Sequence, residues 1–462
     1  MRLQFAYNLT IEIFLSIFWA GCLGRLFGRI CRMDIHSASR NLSSMSKVNP
    51  QTQTVEAVVV GAGMAGMTLA HALASAGIEV AVIDRADPGM LQTASHDGRT
   101  TAIAAGSARV LRGIGLWDGI GVHACPIETI RVSDNDSLMF LHFDHREAGD
   151  DPLGHIIENR LIRQALYHRA ESRTNLQLIA PSEIAEIGRG ESGITVRLEN
   201  SEVLRARVVF ACDGRNSALR KAAGIPVTEW RYDQSSFVCA LAHERSHQNI
   251  AHERFLPGGP FALLPMTDLA EPVNGLRHQS SVVWSESNDL VPAIRDMDDA
   301  GFTEALGRCV GGFLGQIALA SPRWVHPLGL SHAIRYTDQR LALVGDAAHA
   351  IHPIAGQGLN MGIRDVAALA ELVVDARRLG RDIGDPDILS DYERWRRADN
   401  MMLTVTTDGL TRLFSNDLAP VRAVRDLGLA AVNAAPPLRK FFMRHAMGVV
   451  GDLPRLVRGE AL

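Results

Sequence analysis

Only six of the 462 residues are cysteine, and no two of them stand in a C-x-x-C spacing. That scarcity excludes a disulfide-framed secreted scaffold and a zinc ribbon. Cys22, Cys31, Cys125, Cys212, Cys239 and Cys309 are read as reduced, mostly buried thiols of a cytosolic protein. A surplus of either charge is missing too. The 47 basic and 51 acidic side chains leave a net charge of −4, without the basic excess of a nucleic-acid binder. There is no internal repeat, no low-complexity tract, no metal-ligand spacing and no legible Ser-His-Asp arrangement. What is there is ordinary for a globular protein, 47 % hydrophobic and 21 % charged, and long enough for two or three lobes around large cores.

The informative stretch is Val58 to Arg85, VVVGAGMAGMTLAHALASAGIEVAVIDR, which reads strand, glycine turn, helix, strand. Gly61, Gly63 and Gly66 form G-x-G-x-x-G, and Asp84 closes the second strand 18 residues after Gly66. In this pattern Gly61 makes the tight turn, Gly63 lets backbone N–H groups approach a pyrophosphate, and Gly66 packs helix on strand. The helix N-terminus then offers its positive dipole end to the phosphates. An acid at Asp84 is placed for a ribose and disfavours a 2′-phosphate.

Two later segments go beyond what a plain NAD dehydrogenase needs. In the first, the apolar run Val208 to Cys212 delivers Asp213-Gly214, with Ser217 and Arg220 following at three-residue spacings. In the second, Leu341 to Val344 delivers Gly345-Asp346-Ala347-Ala348-His349, then Pro353, Gly356-Gln357-Gly358 and Asn360. That glycine-rich turn opens a helix from Leu359 to about Arg378, giving backbone donors and a dipole near a second part of a ligand.

Together the three motifs resemble the single-component FAD aromatic hydroxylases of the p-hydroxybenzoate hydroxylase type. Further segments resemble the ubiquinone-biosynthesis branch of that family. They are Asp97-Gly98-Arg99-Thr100-Thr101-Ala102-Ile103, Gly115-Leu116-Trp117, Glu158-Asn159-Arg160, Thr407 to Phe414 and Ala446-Met447-Gly448. The resemblance runs from about Val55 to Gly459. It implies a monooxygenase: NADH or NADPH, bound transiently, reduces FAD, and a flavin hydroperoxide formed with O₂ hydroxylates a phenol ring. No second G-x-G-x-x-G follows a strand, in keeping with transient nicotinamide binding.

By this resemblance Gly61, Gly63, Gly66 and Asp84 hold the adenosine half of FAD, and Arg99 and Arg160 contact it, unless they cap a helix or pair an acid. Asp346, after Gly345, is the ribityl contact, or else a helix N-cap. Asp213 and Arg220 belong to a motif credited with FAD and nicotinamide binding, or form an internal ion pair. Pro353, Gly356, Gln357 and Gly358 line the isoalloxazine edge, where peptide N–H groups could stabilise negative charge on reduced flavin, and Asn360 of the same motif is a further cofactor-binding residue. His352 is a weak candidate for proton transfer, and His349 is read as a structural member of its motif. No metal is implied. Cys212 is read as a small buried residue.

The implied substrate is a polyprenylated phenol drawn from a membrane. Leu410, Leu413, Phe414, Phe441, Phe442 and Met443, beside Arg439, Lys440 and Arg444, are read as an amphipathic surface for peripheral membrane contact, or as a helical cap on the FAD lobe. A small soluble aromatic substrate and a non-catalytic FAD-bearing subunit of a quinone-biosynthesis complex are the alternatives. A homo-oligomer is also compatible with the family. The location implied is cytoplasmic, at the inner face of the membrane.

The expected architecture is α/β: a discontinuous Rossmann-like FAD lobe, an inserted, mainly antiparallel substrate sheet and C-terminal helices. The boundaries drawn from the pattern are leader and linker 1–54, FAD lobe 55–125, substrate strands 126–154, FAD lobe 155–225, substrate lobe 226–334, FAD lobe 335–380 and helices 381–462. Phe5 to Leu23 is apolar enough to approach a bilayer span, although it contains Asn8 and Glu12, and Arg25, Arg29 and Arg32 follow it. The favoured reading is an over-extended start with initiation at Met33 or Met45. A membrane anchor and an amphipathic leader are the other two.

Overall fold

The computed structural model describes residues 52–89, 99–134, 140–351, 356–414 and 432–462, with the backbone alone from 410 to 414. The apolar leader, Asp97-Gly98, His352 and Pro353 lie outside the described residues.

The runs Ala57–Val60, Val80–Ile83 and Val208–Ala211 are apolar at nearly every position, the pattern of strands covered on both faces. They form the centre of a six-stranded sheet. Its order is Thr337–Asp338, Leu341–Leu343, Val208–Ala211, Ala57–Val60, Val80–Ile83, Leu176–Ile179. All neighbours are parallel except the Thr337–Asp338 edge. Two strands distant in sequence, Val208–Ala211 and Leu341–Leu343, thus bring their acids to the same sheet edge as the Gly61 turn. The Met64–Ser75 and Gln357–Arg378 helices pack together beside it, and a Cβ at Gly362 would stand 3.3 Å from the Gly345 Cα.

A second sheet has nine strands. Its path runs His349–Ala350, Trp324–Ala333, Val227–His243, His278–Ser287, Gly259–Met266, Ile250–Leu256, Thr129–Asp134, Phe140–Asp144, with Ile317–Leu319 also on Val227–His243. It is antiparallel apart from the Ile250–Leu256/Thr129–Asp134 pair. A bulge lies between Arg231 and Ser235 in the long Val227–His243 strand.

Several boundaries differ from the sequence expectation. Thr52–Thr54, read as linker, is a strand parallel to Val203–Arg205 in a separate four-stranded sheet. Ile184–Arg189 and Val203–Ala206, unnoticed in the pattern, belong to that same sheet. The boundaries at 125/126 and 154/155 fall inside strands. Cys125–Ile127 and Gly154–Glu158, with Thr100–Ala104, make a small three-stranded sheet. Residues 100–101 start that sheet because Thr100 and Thr101 pair with Glu158 and Ile157. C-terminal to Arg381 the chain is helical at Pro386–Phe414, Pro436–Ala446 and Arg455–Arg458.

Candidate flavin site

The glycine turn between the first two strands has no slack. Gly61 takes φ +106°, and a Cβ there would lie 2.3 Å from the Cys212 carbonyl oxygen. A Cβ on Gly66 would lie 1.9 Å from the Gly61 oxygen. Gly63 differs: no protein atom stands within 4 Å of where its Cβ would be, and it caps the N-terminus of the Met64–Ser75 helix. Two glycines therefore serve packing, and the third borders open space at a positive dipole end.

Asp84 organises this turn from the neighbouring strand. Its carboxylate accepts the Ala62 N–H at 2.5 Å and the Ala86 N–H at 2.8 Å. Tyr167, which the sequence reading missed, supports the turn from behind. Its hydroxyl donates to the Ala62 carbonyl at 2.9 Å, and burial pushes its phenol up to about 12, so it stays a neutral donor. A lone tyrosine in an amphipathic helix carries no signal for this role.

The Asp-Gly segment forms its own capped turn. Asp213 Oδ2 accepts the Ala218 and Leu219 N–H groups, and Ser217 caps the short Ala218–Ala222 helix through the Arg220 N–H at 3.0 Å. Asp213 Oδ1 is buried with no hydrogen-bond partner among the described residues. Arg220 does not pair with Asp213. Its buried guanidinium donates to the Ala347 carbonyl at 2.7 Å and the Arg215 carbonyl at 2.9 Å, tying the Asp-Gly motif to the Gly-Asp motif. Arg220 is thus a tether between two cofactor motifs. Cys212 lies against the Gly61 turn, and burial pushes its thiol far up, as expected for an unreactive filler.

Asp346 follows Gly345, which takes φ +60°. It does not act as a capping acceptor: Val344 stands at the N-cap, with no side-chain bond. Its side chain is open to solvent, yet the protein packed around it raises its carboxyl, while His349 and Arg215 pull the other way. Such a group faces the inside of a cleft. Behind it His349 Nε2 lies 2.5 Å from Asp365 Oδ2, with both side chains buried. Asp365 Oδ1 also takes Arg396 Nε at 3.0 Å and Asn400 Nδ2 at 2.9 Å, and Gly345 N–H donates to Oδ2 at 3.2 Å. His349 is thus a buried member of a hydrogen-bonded network. Asp365, Arg396 and Asn400 were not singled out, since mid-helix polar residues carry no motif.

The Gly356-Gln357-Gly358 turn starts the long helix, with Gly356 in the left-handed region at φ +60°. A Cβ on Gly356 would lie 3.0 Å from Ala102 Cβ, and Gly358 borders open space. Asn360 is a second tether. Its Oδ1 accepts the Ala104 N–H at 2.9 Å and its Nδ2 donates to the Ala102 carbonyl at 2.8 Å. Gln357 is buried, with Nε2 3.5 Å from the Ala446 carbonyl. Arg99 is exposed, and its carbonyl accepts the Asn159 N–H. Arg160 pairs with Glu158 at 2.7 Å, the acid-pairing alternative.

The parts fit FAD. A bare glycine at a helix N-terminus suits a pyrophosphate, and Asp346 in its cleft suits ribityl hydroxyls. Asp213 Oδ1 is a buried acceptor in want of a donor. A family model described as FAD binding domain matches residues 54–405. Ubiquinone hydroxylase UbiL of Rhodospirillum rubrum is 46 % identical over 413 residues, 89 % of this chain and 94 % of the relative. The chain belongs to the ubiquinone-biosynthesis family of FAD-dependent hydroxylases. Within that family, the 3-demethoxyubiquinol 3-hydroxylase of Escherichia coli is 34 % identical and covers 86 % of this chain and 99 % of its own. The hydroxylase fold is shared with p-nitrophenol 4-monooxygenase PnpA from Pseudomonas putida DLL-E4, at TM-score 0.69 and 19 % identity over 86 % of this chain and 98 % of that one.

The expected amphipathic surface is only partly formed. Leu438, Phe441 and Phe442 are exposed, but Met443 is fully buried and Arg439 pairs with Glu147 at 2.8 Å. The reason is the helical period: Met443 falls on the inward stripe of Pro436–Ala446. The side chains of Leu410, Leu413 and Phe414 lie outside the described residues. Asp408, from the same segment, accepts the Tyr232 hydroxyl at 2.7 Å and the Trp230 indole at 3.3 Å, docking the long helix on the nine-stranded sheet.

Proposed function

We propose that the protein hydroxylates the aromatic ring of a polyprenylated phenol in ubiquinone biosynthesis, with NADH or NADPH as reductant and O₂ as oxygen source. The observation that carries this reading is the joining of three FAD motifs at one sheet edge in a chain 46 % identical to a ubiquinone hydroxylase along nearly its whole length. When bound, FAD takes two electrons from the nicotinamide and activates O₂, so that one oxygen atom enters the ring and the other leaves as water. Gly63 and the helix N-terminus bind the pyrophosphate, Asp346 binds the ribityl chain, and Asp213 Oδ1 accepts from a cofactor hydroxyl or amide. The Arg220 and Asn360 tethers hold these groups in register.

The substrate is membrane-borne, and the protein meets it by peripheral contact. Leu438, Phe441 and Phe442, with Lys440 and Arg444 on the same helix, support this reading, as do Met401, Met402 and Val405 exposed on the long helix before it. Among the described residues no helix is long and apolar enough to cross a membrane.

The test is quinone profiling by mass spectrometry after deletion of the gene in its host. Accumulation of one under-hydroxylated polyprenyl phenol, cleared by the wild-type gene but not by Asp346→Ala, supports the proposal and names the ring position. A normal quinone profile in a strain with no second hydroxylase of this family overturns it.

A further inference from the structure

The nine-stranded sheet has two unlike faces. On one, Phe237, Phe261, Leu263 and Trp284 pack in a cluster with Phe302 and Leu306 of the Asp299–Val310 helix. The other face meets the cofactor motifs. Its Ala251, Phe255 and Met266 cluster with Ala105, just past the Arg99 loop, and with Met443 and Met447. Ser281 on this face accepts the Thr100 hydroxyl at 2.8 Å. The strand carrying Thr100 is the one that Asn360 and Gly356 hold at Ala102.

Glu253 stands on that second face. The Ile250–Leu256 strand is regular, with Glu253 opposite Ala262 on one side and Val132 on the other. By the two-residue period it shares the side of Ala251 and Phe255, while Arg254 turns to the opposite face and donates to the Cys309 carbonyl. The cross-strand row through Glu253 is Val132, Ala262 and Val283, all apolar. No hydrogen bond or ion pair of Glu253 is found among the described residues, and yet its side chain keeps some access to solvent from deep within the fold. The strands beside it bring one other charged group to this face, the buried Asp134 in the next row. Arg131, His142 and His252 lie on the other face by the same period. From the C-terminal helix Met443 packs inward, and Arg439 is engaged by Glu147. In the small sheet Glu158 is engaged by Arg160.

A carboxylate without a partner in an apolar row is costly, and among the described residues nothing neutralises it. Its natural complement is a ligand donor brought to this sheet face, which meets the Thr100–Ala104 strand that Asn360 ties to the Gly356 turn. We propose that Glu253 is the general base of the ring hydroxylation: its carboxylate accepts a hydrogen bond from the substrate's phenol O–H and takes that proton as oxygen is transferred to the ring. The O–H bond breaks, the proton goes to a Glu253 oxygen, and the bonding pair stays on the phenol oxygen. That pair feeds the ring carbon that forms the new C–O bond as the O–O bond breaks, and the hydrogen on that carbon then leaves as a proton, which restores the aromatic ring. Two electrons come from the nicotinamide and the oxygen from O₂, as in the proposed function, on which this assignment rests. Burial pushes the Glu253 carboxyl up to about 7, where a base is both populated and able to accept at neutral pH.

The experiment uses the full-length, FAD-loaded protein with a phenol bearing one isoprene unit and whichever nicotinamide it oxidises. The wild type is expected to hydroxylate this probe with a rate that rises through an inflection near pH 7. Glu253→Gln is expected to lower hydroxylation on the order of 100-fold and erase that inflection. Phenol affinity and the flavin absorption spectrum should change only slightly, while nicotinamide oxidation runs on to hydrogen peroxide. Glu253→Asp, which keeps a carboxylate, should retain the inflection at reduced rate, and it decides the matter if the Gln variant does not load FAD. An unchanged rate and pH profile in Glu253→Gln, or a lost inflection in an active Glu253→Asp, overturns the assignment while leaving the hydroxylase reading intact. A wild type that binds FAD but hydroxylates no prenylated phenol overturns both.

Discussion

His349 and Asp365 meet at 2.5 Å in the core and join the Gly-Asp motif to the two long helices behind it. Burial alone would raise the Asp365 carboxyl. His349, Arg396 and Asn400 outweigh burial and hold it well below the usual carboxylate range. Asp365 is the hub: its loss takes from Arg396 its fully buried acidic partner and leaves it the half-exposed Asp399 at 2.8 Å. Asp365→Asn is therefore expected to cost about 3–5 kcal/mol in urea unfolding, the scale for breaking a buried charged pair. Because the folded carboxyl is depressed, this stabilisation is present above the usual Asp value and is lost as pH falls below it. The gap between wild type and variant should narrow in acid.

The three glycines of the first turn should separate into two behaviours. Gly66→Ala places a Cβ 1.9 Å from a backbone oxygen and is expected to abolish folding. Gly63→Ala meets no protein atom within 4 Å, so the chain should fold with wild-type circular dichroism and yet lose FAD. A Gly63→Ala protein purified with full flavin absorbance would place the pyrophosphate elsewhere.

Asp346→Ala should leave stability nearly untouched, since no described hydrogen bond depends on the side chain. Removing a charged acceptor from the ribityl chain is expected to weaken FAD binding by roughly 10- to 100-fold, read by flavin fluorescence titration. Full affinity in this variant would show that the cleft holds something other than the ribityl chain.

Glu253 gives a pH signature of the opposite sign to Asp365. Its folded carboxyl is raised from 4.5 to about 7, so between these values the folded protein holds a proton that the unfolded chain has released. Its contribution to stability falls as pH rises across that window and is flat above it. Glu253→Gln should be more stable than the wild type at pH 8 and no more stable at pH 4, by paired thermal melts. Equal differences at both pH values would mean that Glu253 is ordinarily solvated.

These contrasts mark what a sequence can reveal. Gly61 and Gly66 were legible because backbone strain and close packing demand glycine at a fixed spacing after an apolar run. Arg220 and Asn360 were legible as motif members, but their work was not: each binds carbonyls more than a hundred residues away, a partnership that only the sheet order creates. Tyr167 and Asp365 sit in helices whose pattern reads simply as amphipathic. Glu253 carried no signal because its place depends on strand register, which sets it on the sheet face of Ala251 and Phe255. The small sheet of Thr100–Ala104, Cys125–Ile127 and Gly154–Glu158 was missed for the same reason: its strands pair across long gaps, and none is long enough to show a period.

The two residues His349 and Ala350 belong to the Gly-Asp motif and, at the same time, pair with His332 and Ser331 as the edge strand of the nine-stranded sheet. The nine-stranded sheet and the Gly-Asp motif are consequently stitched along one seam. Transplanting residues 226–334 from a relative would carry in a foreign partner for His349 and Ala350. New substrate preference in this scaffold is therefore best sought by side-chain replacement on the sheet face, not by exchange of the whole lobe.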